Sequence, residues 1–456
     1  MRRENMKEIM ELSGKKVLVI GMGKTGLATA RFLLGQGADL VITDEKPREK
    51  LEELCRRELK ESAWEIRSYD LSSLAGVGLV VPSPGVPPRQ PLLVEALRRN
   101  LPIVSELELA YRFLSCPVIA ITGTNGKTTT TTLIGAILKR AGKKIFLGGN
   151  IGEPLIGFVS DSKEADYAVV EVSSFQLQWT ERFCPAVAVL LNTTCDHVDY
   201  HGSFAAYAQA KERIFANQRA EHLAILNADE EATAPLARRL AARVACFSSS
   251  GRVPEGMFVA ESALVRVTAA GERETYPLAM LKLPGRHNQE NVMAAILAAR
   301  ECGVSPGDIA AAIADFRGLS HRIEFAGEKR GIAFYDDSKG TNVGAVVRAL
   351  ESFSQPLFLL MGGRDKDGDF ETLGPLIKGK VKKLVLFGEA RDRIAERLGG
   401  LVATAVVATL REATELAGSQ AAAGDIVLLS PGCASFDEFT DYKARGDFFK
   451  KLVGGL

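Results

Sequence analysis

Residues 118–129 read Val118-Ile119-Ala120-Ile121-Thr122-Gly123-Thr124-Asn125-Gly126-Lys127-Thr128-Thr129. A β-branched apolar run leads into two closely spaced glycines, then into Lys-Thr-Thr and a helix-forming stretch through Lys139. Read as strand, loop and helix, the segment turns backbone N–H groups and the positive end of a helix toward an anion. In that geometry Lys127 lies against the β- and γ-phosphates of a nucleotide, and the Thr128 hydroxyl reaches Mg²⁺. The usual G-x-x-x-x-G-K-[ST] spacing would place its first glycine where this chain has Ile121. The loop is therefore a variant of the common one.

The same grammar repeats along the chain. Val17–Ile20 runs into Gly21-Met22-Gly23-Lys24-Thr25-Gly26, a G-x-G-x-x-G turn, and then into the helix-like Leu27–Leu34. Asp39–Thr43 ends at Asp44, and Leu79–Val81 ends at Ser83-Pro84-Gly85. Tyr167–Val172, Val187–Leu191 and Leu223–Leu226 read as further buried strands, and a third series runs through Ile332–Tyr335, Leu357–Met361, Lys383–Phe387, Leu401–Val407 and Ile426–Leu429. Strands alternating with helices predict α/β architecture on mostly parallel sheets, with ligands at the carboxyl-end loops. A length of 456 residues suggests about three domains. We place them at 1–107 (Rossmann-like), 108–318 (central, P-loop ATPase-like) and 319–456 (Rossmann-like). The Ser-, Gly- and Val-rich stretch 247–277 reads as a hairpin-like insertion in the middle domain.

Lys plus Arg (57) nearly balances Asp plus Glu (56), so no charge excess points to nucleic acid or a membrane surface. Seven scattered cysteines without paired spacing fit reduced thiols. No run reaches the ~18 apolar residues of a membrane span, and the start lacks a signal-peptide core. A cytoplasmic monomer is the expectation. Cys195 and Cys433 are expected to be small buried thiols, and Trp64 and Trp179 packing residues.

T-G-T-N-G-K-T is the form of phosphate loop that resembles the ATP-dependent Mur ligases of bacterial cell-wall synthesis and the folylpolyglutamate synthetases. Other segments extend the resemblance in order. They are Glu171-Val172-Ser173-Ser174-Phe175-Gln176, Asn192 to His201 (N-x-x-x-D-H-x-D-x-H), and Ala210-Lys211-Glu212-Arg213-Ile214-Phe215. His287-Asn288-x-x-Asn291-x-x-Ala294-Ala295, His321-Arg322-x-Glu324 and Asp336-Asp337-Ser338-Lys339-Gly340-Thr341-Asn342 follow. The resemblance implies ATP bound by Gly123, Thr124, Asn125, Gly126, Lys127, Thr128, Thr129, Asn288, Asn291, Arg322 and Asp337. It implies two Mg²⁺ ions held by Thr128, Glu171, His197 and Lys211, with Lys211 carbamylated, and His201 as a supporting partner. Lys127, Lys211 and His197 are the implied catalytic residues. Such ligases join a carboxylate to an amine through an acyl phosphate.

Within that family the outer domains resemble the D-glutamate-adding members, which take UDP-N-acetylmuramoyl-L-alanine and D-glutamate. That implies a UDP-substrate site at Gly23, Lys24, Thr25, Asp44, Ser83, Gly85 and Asn150. It implies a D-glutamate site at Lys339, Thr341, Lys366, Ser435 and Tyr442. After Asp44 the family often has Thr-Arg, whereas this chain has Glu45-Lys46. A dehydrogenase using the first glycine loop would leave the second loop, Glu171, His197 and Lys211 without a role. A non-catalytic nucleotide switch predicts ATP binding without substrate-dependent turnover. The nearer alternatives are an alanine-adding ligase or a folate-glutamate ligase, the latter lacking a UDP-type first domain.

Overall fold

The computed structural model describes residues 10–59, 64–161, 163–365 and 367–456. Lys366 lies outside them. The chain divides into two compact units, residues 10–280 with Glu290–Ala314, and Leu281–Gln289 with Asp315–Leu456.

The first unit contains two sheets. The smaller has four parallel strands in the order Trp64–Ile66, Asp39–Thr43, Lys16–Ile20, Leu79–Pro82. Alternation along Lys16–Ile20 explains its helices on both faces. Val17 and Val19 enter one apolar core, Leu18 and Ile20 the opposite one, as the two-residue period of a strand requires.

The larger sheet has nine strands. From one edge they are Ile145–Gly149, Tyr167–Glu171, Val118–Thr122, Val187–Leu190, Leu223–Asn227, Arg243–Ser248 and Gly256–Ala260, all parallel. Ala263–Val267 and Arg273–Pro277 continue it antiparallel. Residues 247–277 are thus hairpin-like, as expected, but they continue the sheet rather than stand apart from it. They finish one sheet strand and add three more, because Phe247, Met257, Phe258 and Leu264 are buried and need the sheet's continuation to cover them. Ile145–Gly149, which ends in two glycines, was not among the expected strands; it is nonetheless an edge strand paired along its length with Tyr167–Glu171.

The second unit holds a six-stranded sheet in the order Glu324–Lys329, Ile332–Asp336, Ile426–Gly432, Leu357–Gly362, Val381–Phe387, Ala403–Val406. Only the polar edge strand Glu324–Lys329 runs antiparallel. Leu359 and Met361 pack on one face and Phe358 and Leu360 on the other. Among the described residues no helix is long and apolar enough to cross a membrane.

Candidate active site

Strand Val118–Thr122 delivers the second glycine loop. Gly126 sits at φ +87° as the residue before helix Lys127–Arg140, a conformation that favours glycine. A side chain there would also strike Asn291, whose Oδ1 would lie 2.2 Å from the added Cβ. Asn192, just past strand Val187–Leu190, grips the loop from the other side. Its carbonyl accepts from Thr124 N at 2.9 Å, its Oδ1 accepts from Asn125 N at 2.9 Å, and its Nδ2 donates to Asn125 O at 3.1 Å. Thr130 Oγ1 donates to Asn291 Oδ1 at 3.3 Å. Lys127 Nζ folds over the loop and donates to Gly123 O at 2.8 Å and Thr124 O at 2.9 Å. Its charge therefore stands at the mouth of the cradle. Thr128 and Thr129 follow it in the first helical turn.

Glu171 closes the neighbouring strand, opposite Ile121 in register. It is 2% exposed. Asn150 Nδ2 donates to its Oε1 at 2.8 Å, whereas the buried Oε2 has no hydrogen-bond partner among the described residues. A buried carboxylate oxygen left unsatisfied is costly, and a hard cation satisfies it; this donor fits Mg²⁺.

Lys211, in helix Phe204–Glu212, is also 2% exposed, against the ordinary expectation for a helical lysine. Its Nζ donates to Gly123 O at 2.9 Å and lies 4.5 Å from the centre of the Tyr207 ring. Burial first, and then repulsion from Lys127, hold its ammonium well below the usual lysine range. Tyr207 Oη in turn pairs with Thr124 Oγ1 at 3.1 Å.

His197 has φ +51° and heads the turn Val198–His201. Its imidazole is half-exposed, edge-on to Phe175 with ring centroids 4.9 Å apart. His201 Nε2 pairs with Ser174 Oγ at 3.0 Å, and burial pushes the ring down to about 4. Cys195 is exposed, contrary to expectation, because its loop stands outside the sheet; Cys433 is buried as expected.

The first glycine loop is built for close approach. Gly21 has φ +87°, and a Cβ on Gly26 would fall 1.9 Å from Gly21 O, so the helix meets the strand only through a glycine. Among the described residues a Cβ on Gly23 or Gly85 would meet nothing within 4 Å. Ser83 Oγ donates to Gly21 O at 2.7 Å. Asp44 accepts from Met22 N, and from Lys46 N at 2.9 Å. Lys24 Nζ donates to Gly152 O; Thr25 follows in the helix that begins at Lys24.

In the second unit, Asp337 is buried and accepts from Ser430 Oγ at 2.8 Å. Burial raises its carboxyl to about 7, with Arg322 opposing. Asn288 Nδ2 donates to Pro284 O at 2.7 Å. Lys339 Nζ lies 5.0 Å from the Tyr442 ring, Ser435 is buried, and Thr341 precedes the Asn342 cap of helix Val343–Glu351. Among the described residues His321, Glu324 and Asp336 also cluster. That group is internally compensated, with His321 Nδ1 on Asp336 at 2.7 Å and Lys450 Nζ on Glu324 at 3.1 Å.

Sequence reasoning missed Arg445. It is fully buried, donates to Ser338 Oγ, Ser338 O and Cys433 O, and so ties together two segments that carry Lys339 and Ser435. The signal was present. Arg445, Phe449 and Val453 recur at four-residue spacing on the buried stripe of helix Tyr442–Gly455.

A glycine loop between strand and helix, a buried carboxylate with an open oxygen and a buried lysine thus stand together at the strand ends of the larger sheet, the arrangement of a P-loop type fold. The particular class follows from comparison. Residues 15–105 match the model described as "Mur ligase MurD-like, N-terminal domain", residues 121–299 "Mur ligase middle domain" and residues 321–433 "Mur ligase, glutamate ligase domain". A UDP-N-acetylmuramoylalanine–D-glutamate ligase of Syntrophus aciditrophicus is 58% identical over 447 residues, covering 97% of this chain and 98% of that one. The enzyme of the same description from Acidobacterium capsulatum is 46% identical, covering 97% of each. This chain belongs to the Mur ligase family. Solved structures share the fold. MurF of Thermotoga maritima in complex with ADP aligns with TM-score 0.61 at 18% identity, over 99% of this chain and 97% of that one. MurC of the same organism gives TM-score 0.59 at 20% identity, over 96% and 99%.

Proposed function

We propose that this protein is the ATP-dependent ligase that adds D-glutamate to UDP-N-acetylmuramoyl-L-alanine during peptidoglycan precursor synthesis. The observation that carries the chemistry is the buried Lys211 beside the phosphate loop and the open oxygen of Glu171. The relatives' names, together with the MurD-like match over the first sheet, support the choice of substrates.

In this reading residues 1–107 take the UDP substrate, 108–318 ATP and 319–456 the amino acid. Gly23, Lys24, Thr25 and Gly85 cradle the pyrophosphate, Asp44 and Ser83 shape that cradle, and Asn150 links it to Glu171. Gly123 to Thr129 hold the ATP phosphates, with Asn291 fixing the loop, and Asn288, Arg322 and Asp337 supply further nucleotide contacts. Lys339, Thr341, Ser435 and Tyr442 hold D-glutamate; the expectation for Lys366 falls outside the described residues. The substrate carboxylate attacks the γ-phosphorus and ADP leaves. The amine nitrogen of D-glutamate then attacks the acyl carbon, and phosphate leaves with the former carboxylate oxygen. Lys127 stabilises charge that grows on the transferred phosphoryl group.

Thr128, Glu171, His197 and Lys211 are the groups that would hold Mg²⁺, which supplies charge neutralisation to the phosphates. Lys211 suits carbamylation because burial favours its neutral amine, whose lone pair adds to CO₂ with loss of a proton. The product is an anionic oxygen donor. ATP and nucleotide-linked substrates support a cytoplasmic reaction.

The test is phosphate release from ATP and Mg²⁺ with UDP-N-acetylmuramoyl-L-alanine, offering D-glutamate, L-glutamate, L-alanine and L-lysine in parallel. Release with D-glutamate alone is expected. Release with another amino acid would reassign the substrate, and none at all would leave a nucleotide-binding switch.

A further inference from the structure

The metal-ligand loop of the central sheet is fastened to the first sheet at a place the catalytic reading does not use. Tyr200 Oη donates to Val86 O at 2.8 Å. Arg89 Nη1 donates to Asp199 O, one residue away. Val86 and Arg89 belong to the loop that follows strand Leu79–Pro82, immediately after Ser83-Pro84-Gly85. Tyr200 and Asp199 belong to the single helical turn headed by His197.

His197 N donates to Asp196 Oδ1 at 2.9 Å, but its ring is held more loosely. Its backbone stands at positive φ, its ring is half-exposed, and its neighbour Asp196 approaches its Nε2 only to 3.7 Å. The position of that imidazole therefore depends on where its short turn is anchored. Phe175, from the neighbouring short helix Ser174–Leu177, packs on the turn at 4.1 Å centroid distance from Tyr200 and 4.9 Å from His197. Ser174 Oγ holds His201 at the far end of the turn, at 3.0 Å, and the 83–90 loop holds its Asp199–Tyr200 segment from the first sheet. A ring–ring–carbonyl chain thus runs from Val86 through Tyr200 and Phe175 to His197.

We propose that Tyr200 and Arg89 are positioning residues that couple occupancy of the UDP-substrate site at Ser83 and Gly85 to the placement of His197, so that the UDP substrate and magnesium-nucleotide strengthen each other's binding. The inference rests on the ligand assignments proposed above. Coupling between two sites is reciprocal by thermodynamic necessity, so it can be read from binding alone. Neither residue is a catalytic residue: each acts through the loop.

The experiment is calorimetric titration of the wild-type chain with the magnesium complex of a non-hydrolysable ATP analogue, with and without saturating UDP-N-acetylmuramoyl-L-alanine. Tyr200→Phe keeps the ring stack and removes only the bond to Val86; Arg89→Ala, on an exposed side chain, removes the second anchor. Wild type should bind the magnesium-nucleotide at least about fivefold more tightly when the UDP substrate is present, within the usual range of such couplings. Each single variant should bind either ligand alone as wild type does, while the factor shrinks, and in the double variant it should approach one. An unchanged factor in the double variant, or a wild-type factor of one, would overturn the proposal. Failure of wild type to bind the UDP substrate at all would instead sink the site assignment beneath it, and the two failures are read from different titrations. Equal melting temperatures of the variants and wild type would show that lost coupling is not lost folding.

Discussion

The chain carries two glycine loops, at 21–26 and at 122–129, each between a buried parallel strand and a helix. Their backbones do similar work, yet their surroundings differ. Around the first stand a serine hydroxyl on Gly21 O and Asp44 on Met22 N, and Gly26 lies too near Gly21 O for any side chain. Around the second, neighbouring strands and helices bring a carboxylate with an open oxygen, a buried lysine and two gripping asparagines. A glycine loop supplies an anion cradle and no more. Whether the anion is held or transferred is decided by what the adjacent strand ends deliver.

That contrast can be broken most severely at Lys127. Lys127→Ala should lower ATP-dependent phosphate release by on the order of 10³-fold, with the melting temperature unchanged, whereas Lys24→Ala should leave far more turnover. Near-wild-type turnover in Lys127→Ala would mean that the second loop is not the transferring one. Lys211→Ala should also lose most turnover, and high acetate should restore part of it by supplying the missing carboxylate oxygens. If no concentration of acetate restores any activity, the anionic role of Lys211 fails.

Two glycines sharpen the contrast within the first loop. Gly26→Ala forces a Cβ to 1.9 Å from Gly21 O and should cost about 1–3 kcal/mol of stability, measured by denaturant unfolding. Gly23→Ala meets nothing within 4 Å, so stability should hold while affinity for the UDP substrate falls about tenfold, or about 1.4 kcal/mol. Unaltered affinity would move the pyrophosphate elsewhere.

The smallest effect concerns the helix that brings Asn291 to Gly126. His287, near its start, is pushed down by burial, and then by Arg348 and Arg322, to about 4 from an ordinary 6.5. The unfolded chain takes up this proton before the folded one does, so stability falls as pH drops from about 6.5 to about 4. A His287→Asn variant should show a shallower loss across that window in denaturant midpoints. An identical slope would place the proton elsewhere.

Much of this was legible from local pattern. Continuous apolar runs such as Val118–Thr122 and Leu357–Gly362 are strands because both sheet faces are covered. The edges were harder to read. Ile145–Gly149 and Glu324–Lys329 carry glycines or charges, since an edge strand is less covered and its composition approaches that of a loop. Arg445 was hidden for a related reason: a charged residue reads as surface unless its helical register is followed to the buried stripe.

The sequence by itself determined the strand–loop–helix grammar, the two glycine loops and the family, because each depends on residues close together in the chain. Only the tertiary structure decided that Lys211 is buried, that Glu171 keeps an oxygen open, and that Tyr200 is anchored to Val86. Burial and long-range hydrogen bonds depend on which strand ends become neighbours. Lys211 meets Gly123 across 88 residues and Tyr200 meets Val86 across 114. No local pattern records such a meeting, since it is created by the packing of whole strands and helices.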